Sequence, residues 1–515
     1  MLDERSIRAP LGSWRRFLLA GAGIVAVSAV ATVVVVLNTA SSIAEKVFRN
    51  TIAAPPSVVA PVYSGAPQTF LILGSDRRAK STSVLERGDS ARSDTMLLVR
   101  FDPERGQTSV LSIPRDLDVN IRAPHGAYYP EEKINAAYTI GSRLGGTRGA
   151  MLLAAETIER EVFPGLKLNG IIDVDFEGFI NVVDALGCVY VNVDHRYYHV
   201  NTGFSEGYSE INLQPGYQKL CYNNALSYVR YRHEDSDFVR VARQQDFLRD
   251  LRSQLSGSLS ELIGKIDTVA GDVGRAVAST FPRSGSELIK LAELVIFSQG
   301  KPLRQVKFRS LSVATAIKGG SYVTTTPELA RATLHDFLYG DQRLHVPHPV
   351  SVSQPHGSSH RHSAAASVSA AAAGLSASDA SGRSALAGDR AYLPFPVLYP
   401  ALQTGPAVEQ ATRAYDLRDN HGKLRHAYVV VWQQSSLGSY YDFEGTDWLN
   451  PPLIAHPDET RVIGGTRYMF FADGSHIHTI AWRRGGALYW VTNTLLEDLT
   501  NQQMLLIARS AHPVR

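Results

Sequence analysis

Cysteine is nearly absent from this 515-residue chain, which has two. Two sulfurs exclude a disulfide scaffold and a four-cysteine zinc site. Excess charge is missing as well. Lys and Arg total 52 against 49 Asp and Glu, a formal net charge of +3. That balance argues against nucleic acid held by bulk attraction, so no nucleic-acid partner is expected. Long apolar runs are absent with one exception, which excludes a protein that crosses the membrane many times. Length is plentiful. One core of ordinary size would leave much of the chain over, so more than one folded unit is expected. Hydrophobic residues at 44% and charged residues at 20% exclude disorder throughout.

The exception runs from Phe17 to Leu37 (FLLAGAGIVAVSAVATVVVVL), 21 residues without a charge. About 20 apolar residues cross a bilayer. Arg5, Arg8, Arg15 and Arg16 precede the run. They keep the N-terminus cytoplasmic by the positive-inside rule. The run is longer than the apolar core of a cleaved signal peptide, which favours a retained anchor. The expectation is a single-pass cell-membrane protein with 1–16 as a cytoplasmic tail, 17–37 as the transmembrane helix and the rest extracytoplasmic. In that compartment Cys188 and Cys221 are free to pair, though two buried thiols would fit the spacing too.

Composition divides the remainder. Residues 38–68 end in a Pro/Ala stretch without helical period and read as a stalk. Residues 69–255 read as an α/β unit. Residues 256–342 read as a helical extension with a late strand (VKFRSLSV) and a helix after TTTPEL. Residues 343–392, rich in Ser, Ala and Gly, read as a disordered linker. Its histidines, His345, His348, His356, His360 and His362, suit a solvated tract better than a metal site. Residues 393–515 carry four of the five tryptophans and read as a separate, small α+β accessory domain. Alternating runs flank Gly485-Gly486, a hairpin signal, and LEDLTNQQMLLIARS reads as a closing helix. His476 and His478 share a strand face and read as surface residues.

The α/β unit carries the chemistry. A strand over Thr69–Leu73 leads into Gly74-Ser75-Asp76, and a polar loop leads to Arg92-Ser93-Asp94. A second strand over Thr95–Phe101, the turn DPERG and a third strand over Gln107–Ile113 follow, then Pro114-Arg115-Asp116. The turn is too short for a crossover, so the second and third strands are antiparallel. Arg115 and Asp94 therefore share a sheet edge, and Asp76 joins them if the first strand is also antiparallel to the second. Two aspartates can hold a hard divalent cation together with water and phosphate oxygens. Arginines bind phosphate through paired donors and stay charged. The same residues also suit structural ion pairs. Arg230 and Arg232 alternate and would point one way in an extended segment. Asp237, Arg240, Arg243 and Gln244 then enter a helix, with Arg240 and Gln244 on one face. Phe247, Leu251 and Leu255 form a separate apolar stripe. The arginines here outnumber nearby acids at helical spacing, which favours an anionic ligand.

Taken in order, LGSDRR, RSDTMLLVRFDP, LSIPRD, KINAAY, DFEGFINVVDALGCVYVNV and ALSYVRYRHEDSDFVRVARQQ, with the anchor, resemble the LytR-CpsA-Psr family of cell-wall glycopolymer transferases. The family's usual Gly-Gly-Val appears here as Gly187-Cys188-Val189. The resemblance implies an α/β/α sandwich around a central mixed sheet. It implies a polyprenyl pyrophosphate-linked glycan as donor, such as teichoic acid or arabinogalactan, peptidoglycan as acceptor, and a phosphodiester product. It implies Mg²⁺, or Mn²⁺ in its place, on Asp76 and Asp94. Arg92, Arg115, Lys133, Arg230, Arg232, Arg240 and Gln244 match the pyrophosphate-binding set, with Arg115, Asp94 and Asp116 as catalytic candidates. Two alternatives stay open: a pyrophosphatase acting on the same lipid, and a non-catalytic lipid-binding envelope regulator.

Overall fold

The structure, a computed structural model, describes residues 51–63, 65–76, 91–201, 210–232, 236–257, 277–281, 303–317, 320–340, 370–434 and 439–514, with isolated positions at 284, 287, 290, 293, 294, 346 and 347. The expected membrane span, 17–37, lies outside the described residues, as do all five linker histidines. Among the described residues no helix is long and apolar enough to cross a membrane.

Three strands organise the first domain: β1 (Gln68–Ser75), β2 (Ser93–Asp102) and β3 (Gln107–Ser112). β1 and β2 pair antiparallel, as do β2 and β3. Asp102 accepts the Arg105 N–H at 3.0 Å and closes the turn between them. Three further strands complete a mixed six-stranded sheet. Gly170–Asp175 runs parallel to β1, Leu303–Val306 parallel to β3, and Val277–Ser279 antiparallel to Gly170–Asp175. The observed architecture is thus mixed α/β. Leu71, Leu73, Met96, Leu98, Leu111 and Ile113 belong to a core shared with the helices Ala136–Thr157 and Pro327–Tyr339. The latter starts as its sequence suggests. Pro327 opens it, and Thr326 caps it by accepting the Leu329 N–H at 3.3 Å.

The structure differs from the sequence reading in several boundaries. Residues 51–63 do not hang free as a stalk. Val58 and Val59 lie in the core, Val59 bridges to Leu168, and Thr51 bridges to Ser279. A Pro/Ala segment with three valines had apolar surface to bury, and the domain buries it. VKFRSLSV is not one strand. Leu303–Val306 joins the central sheet, and Ser312–Ile317 forms a hairpin with Gly320–Thr324. The end of the expected linker is also ordered. Leu375–Ala377 pairs with Leu402–Thr404, and the helix Ala380–Asp389 buries Leu386.

The second domain is a seven-stranded antiparallel sheet with its strands in the spatial order 408–418, 424–433, 440–446, 487–492, 476–484, 466–473 and 459–463. Gly485 and Gly486 have φ of 55° and 78° at the expected hairpin. A turn with positive φ at both central residues matches the twist of its flanking strands. Thr500 and Gln503 form a reciprocal capping box on the closing helix, Asn501–Arg509. That helix covers one sheet face, where Val430, Trp432, Phe443 and Val491 are buried.

This domain is not separate. The opposite sheet face, with Val429, Val431, Leu488 and Trp490, forms one apolar cluster with Tyr190 and Tyr217 of the first domain. Tyr217 donates its N–H to Tyr415 Oη at 2.8 Å, and Tyr415 donates to Glu444 at 2.7 Å. Asn192 donates to Asp442 at 2.9 Å and to Thr492 at 2.8 Å. The strand Leu424–Gln433 contains an unbroken apolar run (AYVVVW) because both faces of its sheet are covered.

Candidate functional site

The strand register assembles the polar cluster. Ser75 pairs with Ser93, so Asp76 leaves β1 beside the start of β2. Asp76 donates its backbone N–H to Arg92 O at 3.1 Å and accepts the Arg92 N–H on its carboxylate at 2.6 Å. Asp94 lies inside β2 rather than before it. β3 runs back along β2 and delivers Arg115 to the same edge. The Arg115 Nη1 donates to Asp94 Oδ1 at 2.6 Å, and its Nε donates to Asp237 Oδ2 at 3.2 Å.

Asp237 is the hub. It also pairs with Arg232 at 3.1 Å and with Arg240 at 3.4 Å, so three guanidinium groups converge on one carboxylate. The sequence reading placed Asp237 at the helix start without assigning it to the site. The signal was available, because Asp237 opens the helix three residues before Arg240 and six before Arg243. Asp116 lies between Lys133 at 2.9 Å and Arg115 at 3.6 Å, so Lys133 stands at the margin of the cluster.

The expectation of an extended 230–232 segment fails. Arg230 ends a short helix, Tyr222–Arg230, and Arg232 lies beyond it. The alternating pair therefore splits. Arg232 reaches Asp237, whereas Arg230 lies over the Phe176 ring at 3.9 Å and acts electrostatically on Asp76. Gln244 bridges elements, accepting from Thr95 Oγ1 at 3.3 Å and donating to Val229 O at 3.1 Å. Arg243 turns away from the cluster. It is fully buried, donating to Tyr197 Oη at 3.0 Å and to Tyr231 O at 2.9 Å.

Burial tunes these groups unevenly. It raises the Asp76 carboxyl above the ordinary carboxylate range, against the Arg92 N–H it accepts, and the Asp94 charge adds to the rise. For Asp237 burial acts upward too, but Arg240, Arg115 and Arg232 hold the carboxyl below its usual value. Burial pulls Arg240 down to about 10, which leaves it cationic at neutral pH. Two neighbouring carboxylates, one disfavoured in its charged form, are a donor set a hard cation would relieve. Among the described residues no group of three or more His, Cys, Asp or Glu side chains is placed to hold a metal. An ion on Asp76 and Asp94 would therefore need water or ligand oxygens to complete its shell.

A cavity of about 230 Å³ opens beside the cluster. Asp94, Arg115, Asp237 and Arg240 line its polar end, and Met96, Ile113, Phe238, Val241 and Phe308 its apolar walls. Leu495, Leu496 and Glu497 of the second domain line it too, which the sequence reading missed. These residues sit in a loop with no motif of its own. His478 is another correction. It is half-buried near Arg249 at the domain junction, and burial with that positive charge pushes its pKa well below the usual value. Cys188 and Cys221 are joined by a disulfide, with Cα atoms 4.8 Å apart. Cys188 has φ of 68°, a conformation suited to the glycine it replaces in the Gly-Gly-Val pattern.

The arrangement is a cluster of guanidinium and carboxylate groups beside a cavity with apolar walls. The LytR_cpsA_psr family profile matches residues 30–336, and the chain belongs to that family. A polyisoprenyl-teichoic acid–peptidoglycan teichoic acid transferase, TagU of Halalkalibacterium halodurans, is 30% identical over 250 residues, covering 48% of this chain and 72% of that protein. TagV of Bacillus subtilis, which bears the same transferase description, is 31% identical over 187 residues, covering 36% and 44%. A crystal structure of B. subtilis TagV covers 54% of this chain and 98% of that one, at 24% identity and a TM-score of 0.42. The chain spans about half the length of several curated relatives, 52% and 44% in two cases.

Proposed function

We propose that this protein, anchored in the cell membrane, transfers a glycopolymer from a polyprenyl pyrophosphate carrier to a hydroxyl of peptidoglycan. The observation that carries this reading is the convergence of Arg115, Arg232 and Arg240 on Asp237 at the mouth of an apolar cavity. Guanidinium groups in excess over their acid suit a diphosphate, and the cavity suits the lipid attached to it. Family membership and the transferase relatives support the same substrate class.

In this reading the acceptor oxygen attacks the sugar-proximal phosphorus. The new P–O bond forms as the bond to the bridging oxygen breaks, and polyprenyl phosphate leaves. Positioning and charge neutralisation carry most of such a reaction. Arg115 and Arg240 bind the diphosphate oxygens, and Asp237 orients three guanidinium groups toward them. Asp94 lines the cavity and is 42% exposed, so it is the carboxylate best placed to take the hydroxyl proton. Asp116, held by Lys133, positions Arg115. Asp76 and Asp94 would hold Mg²⁺, which neutralises diphosphate charge when bound.

The test is transfer of a labelled polymer from its lipid carrier to purified peptidoglycan. Arg115→Ala and Asp94→Ala should each abolish attachment in folded protein, and Asp116→Asn should lower it less than Asp94→Asn. Full activity in Arg115→Ala would end the assignment. Hydrolysis to polyprenyl phosphate and free glycan phosphate at a rate that ignores peptidoglycan would identify a pyrophosphatase instead.

A further inference from the structure

The cavity has walls from two domains, and the second domain's wall is built as firmly as the first. Leu495 and Leu496 are half-buried and line the cavity together with Met96 and Phe308 of the chain's other domain. Their loop is tied down internally. Asn493 Oδ1 accepts the N–H groups of Thr494 at 2.8 Å and Leu499 at 3.0 Å, and Thr494 Oγ1 donates to Asp498 at 3.0 Å. It is also tied across the domain boundary. Lys307, from the segment after the last strand of the central sheet, donates to Leu496 O at 2.9 Å and pairs with Glu497 at 3.6 Å.

We infer that the second domain is part of the lipid-binding site: Leu495 and Leu496 contact the carrier's phosphate-proximal isoprene units and help set affinity for the lipid. This rests on the proposed function, which places a prenyl pyrophosphate at the arginine cluster. The geometry adds which end of the lipid is read. An apolar cavity of about 150 Å³ takes a benzene, so 230 Å³, part of it at the polar end, holds at most about ten carbons, or one to two isoprene units. A longer carrier must leave the cavity, and the leucine loop faces only the units nearest the diphosphate. The polar end supplies the charge that fixes which end enters.

The test is equilibrium binding of geranyl pyrophosphate and, separately, inorganic pyrophosphate to the full-length chain at fixed Mg²⁺. Geranyl pyrophosphate should bind at least tenfold tighter than pyrophosphate. The double substitution Leu495→Ser with Leu496→Ser should weaken geranyl pyrophosphate about tenfold and leave pyrophosphate within twofold. Leu496→Trp, which fills the cavity, should have the same selective effect. Unchanged geranyl pyrophosphate affinity in both variants would overturn the inference, as would an equal loss for both ligands. If the unaltered protein binds neither ligand, or if Arg115→Ala leaves both affinities intact, the functional reading fails and takes this inference with it.

Discussion

Around Arg115, the cations Arg92, Arg115, Lys133, Arg230, Arg232 and Arg240 surround the carboxylates of Asp76, Asp94, Asp116 and Asp237. Around Arg249, at the domain junction, one guanidinium faces Asp246, Asp250, Asp473 and Glu497. The first group has positive charge to spare and opens into a cavity. The second has negative charge to spare and lies between the domains, reaching the cavity only through Glu497. Burial answers the surplus there, raising the Asp473 carboxyl to about 7 and that of Glu497 to about 6. The same residue types thus serve two ends. Excess cation at an opening receives an anion, whereas excess acid in the seam is neutralised by protons and holds two domains together.

Each cluster can be broken without the other. The largest effect is expected from Arg115→Ala, a loss of transfer on the order of 10³–10⁵-fold, the range for arginines that stabilise phosphoryl-transfer charge. Its chemical denaturation midpoint should stay close to that of the unaltered protein. Arg249→Ala should do the reverse. Removing this guanidinium leaves Asp473, 2% exposed at its side chain, without the cation it pairs with, while Lys307 still reaches only Glu497. Stability should fall by roughly 3–5 kcal/mol, measured by denaturant unfolding.

Cys188→Ser with Cys221→Ser should cost about 4 kcal/mol, since the disulfide closes a loop with a sequence separation of 33. Reducing the unaltered protein should produce the same loss, and reductant should have no further effect on the double variant. The smallest effect is the pH response of the seam. Glu444, raised to about 7 by burial, and Asp473 bind protons in the folded chain that the unfolded chain releases near pH 4. Their contribution is therefore full below that pH and is lost as pH rises through 7. The melting temperature should fall by roughly 2–4 °C from pH 6 to pH 8. Glu444→Gln should flatten that slope, and a melting temperature that rises over the interval would contradict the assignment.

Much of the first cluster was legible in the residues. Two strands joined by DPERG had to be antiparallel, which by itself places Asp94 beside Arg115. Helical spacing likewise put Arg240 and Gln244 on one face, and both line the cavity. Arg230 and Arg232 misled because an Arg-x-Arg pair reads as a strand, while the turn that ends a short helix also separates them. The domain seam was less legible. Its strands looked like a self-contained sheet, and only the unbroken run in Leu424–Gln433 showed that both faces needed cover. No pattern within 393–515 names Tyr190 and Tyr217 as that cover, because pairing between distant segments leaves no local periodicity. Leu495 and Leu496 were invisible for the same reason. They act through where the seam places them.

The most direct measurement is a crystal structure of the protein with Mg²⁺ and geranyl pyrophosphate. The account predicts the diphosphate within hydrogen-bond reach of Arg115 and Arg240, with the isoprene chain between Met96 and Leu496. A diphosphate bound on another surface, or a chain lying outside the cavity, would contradict it.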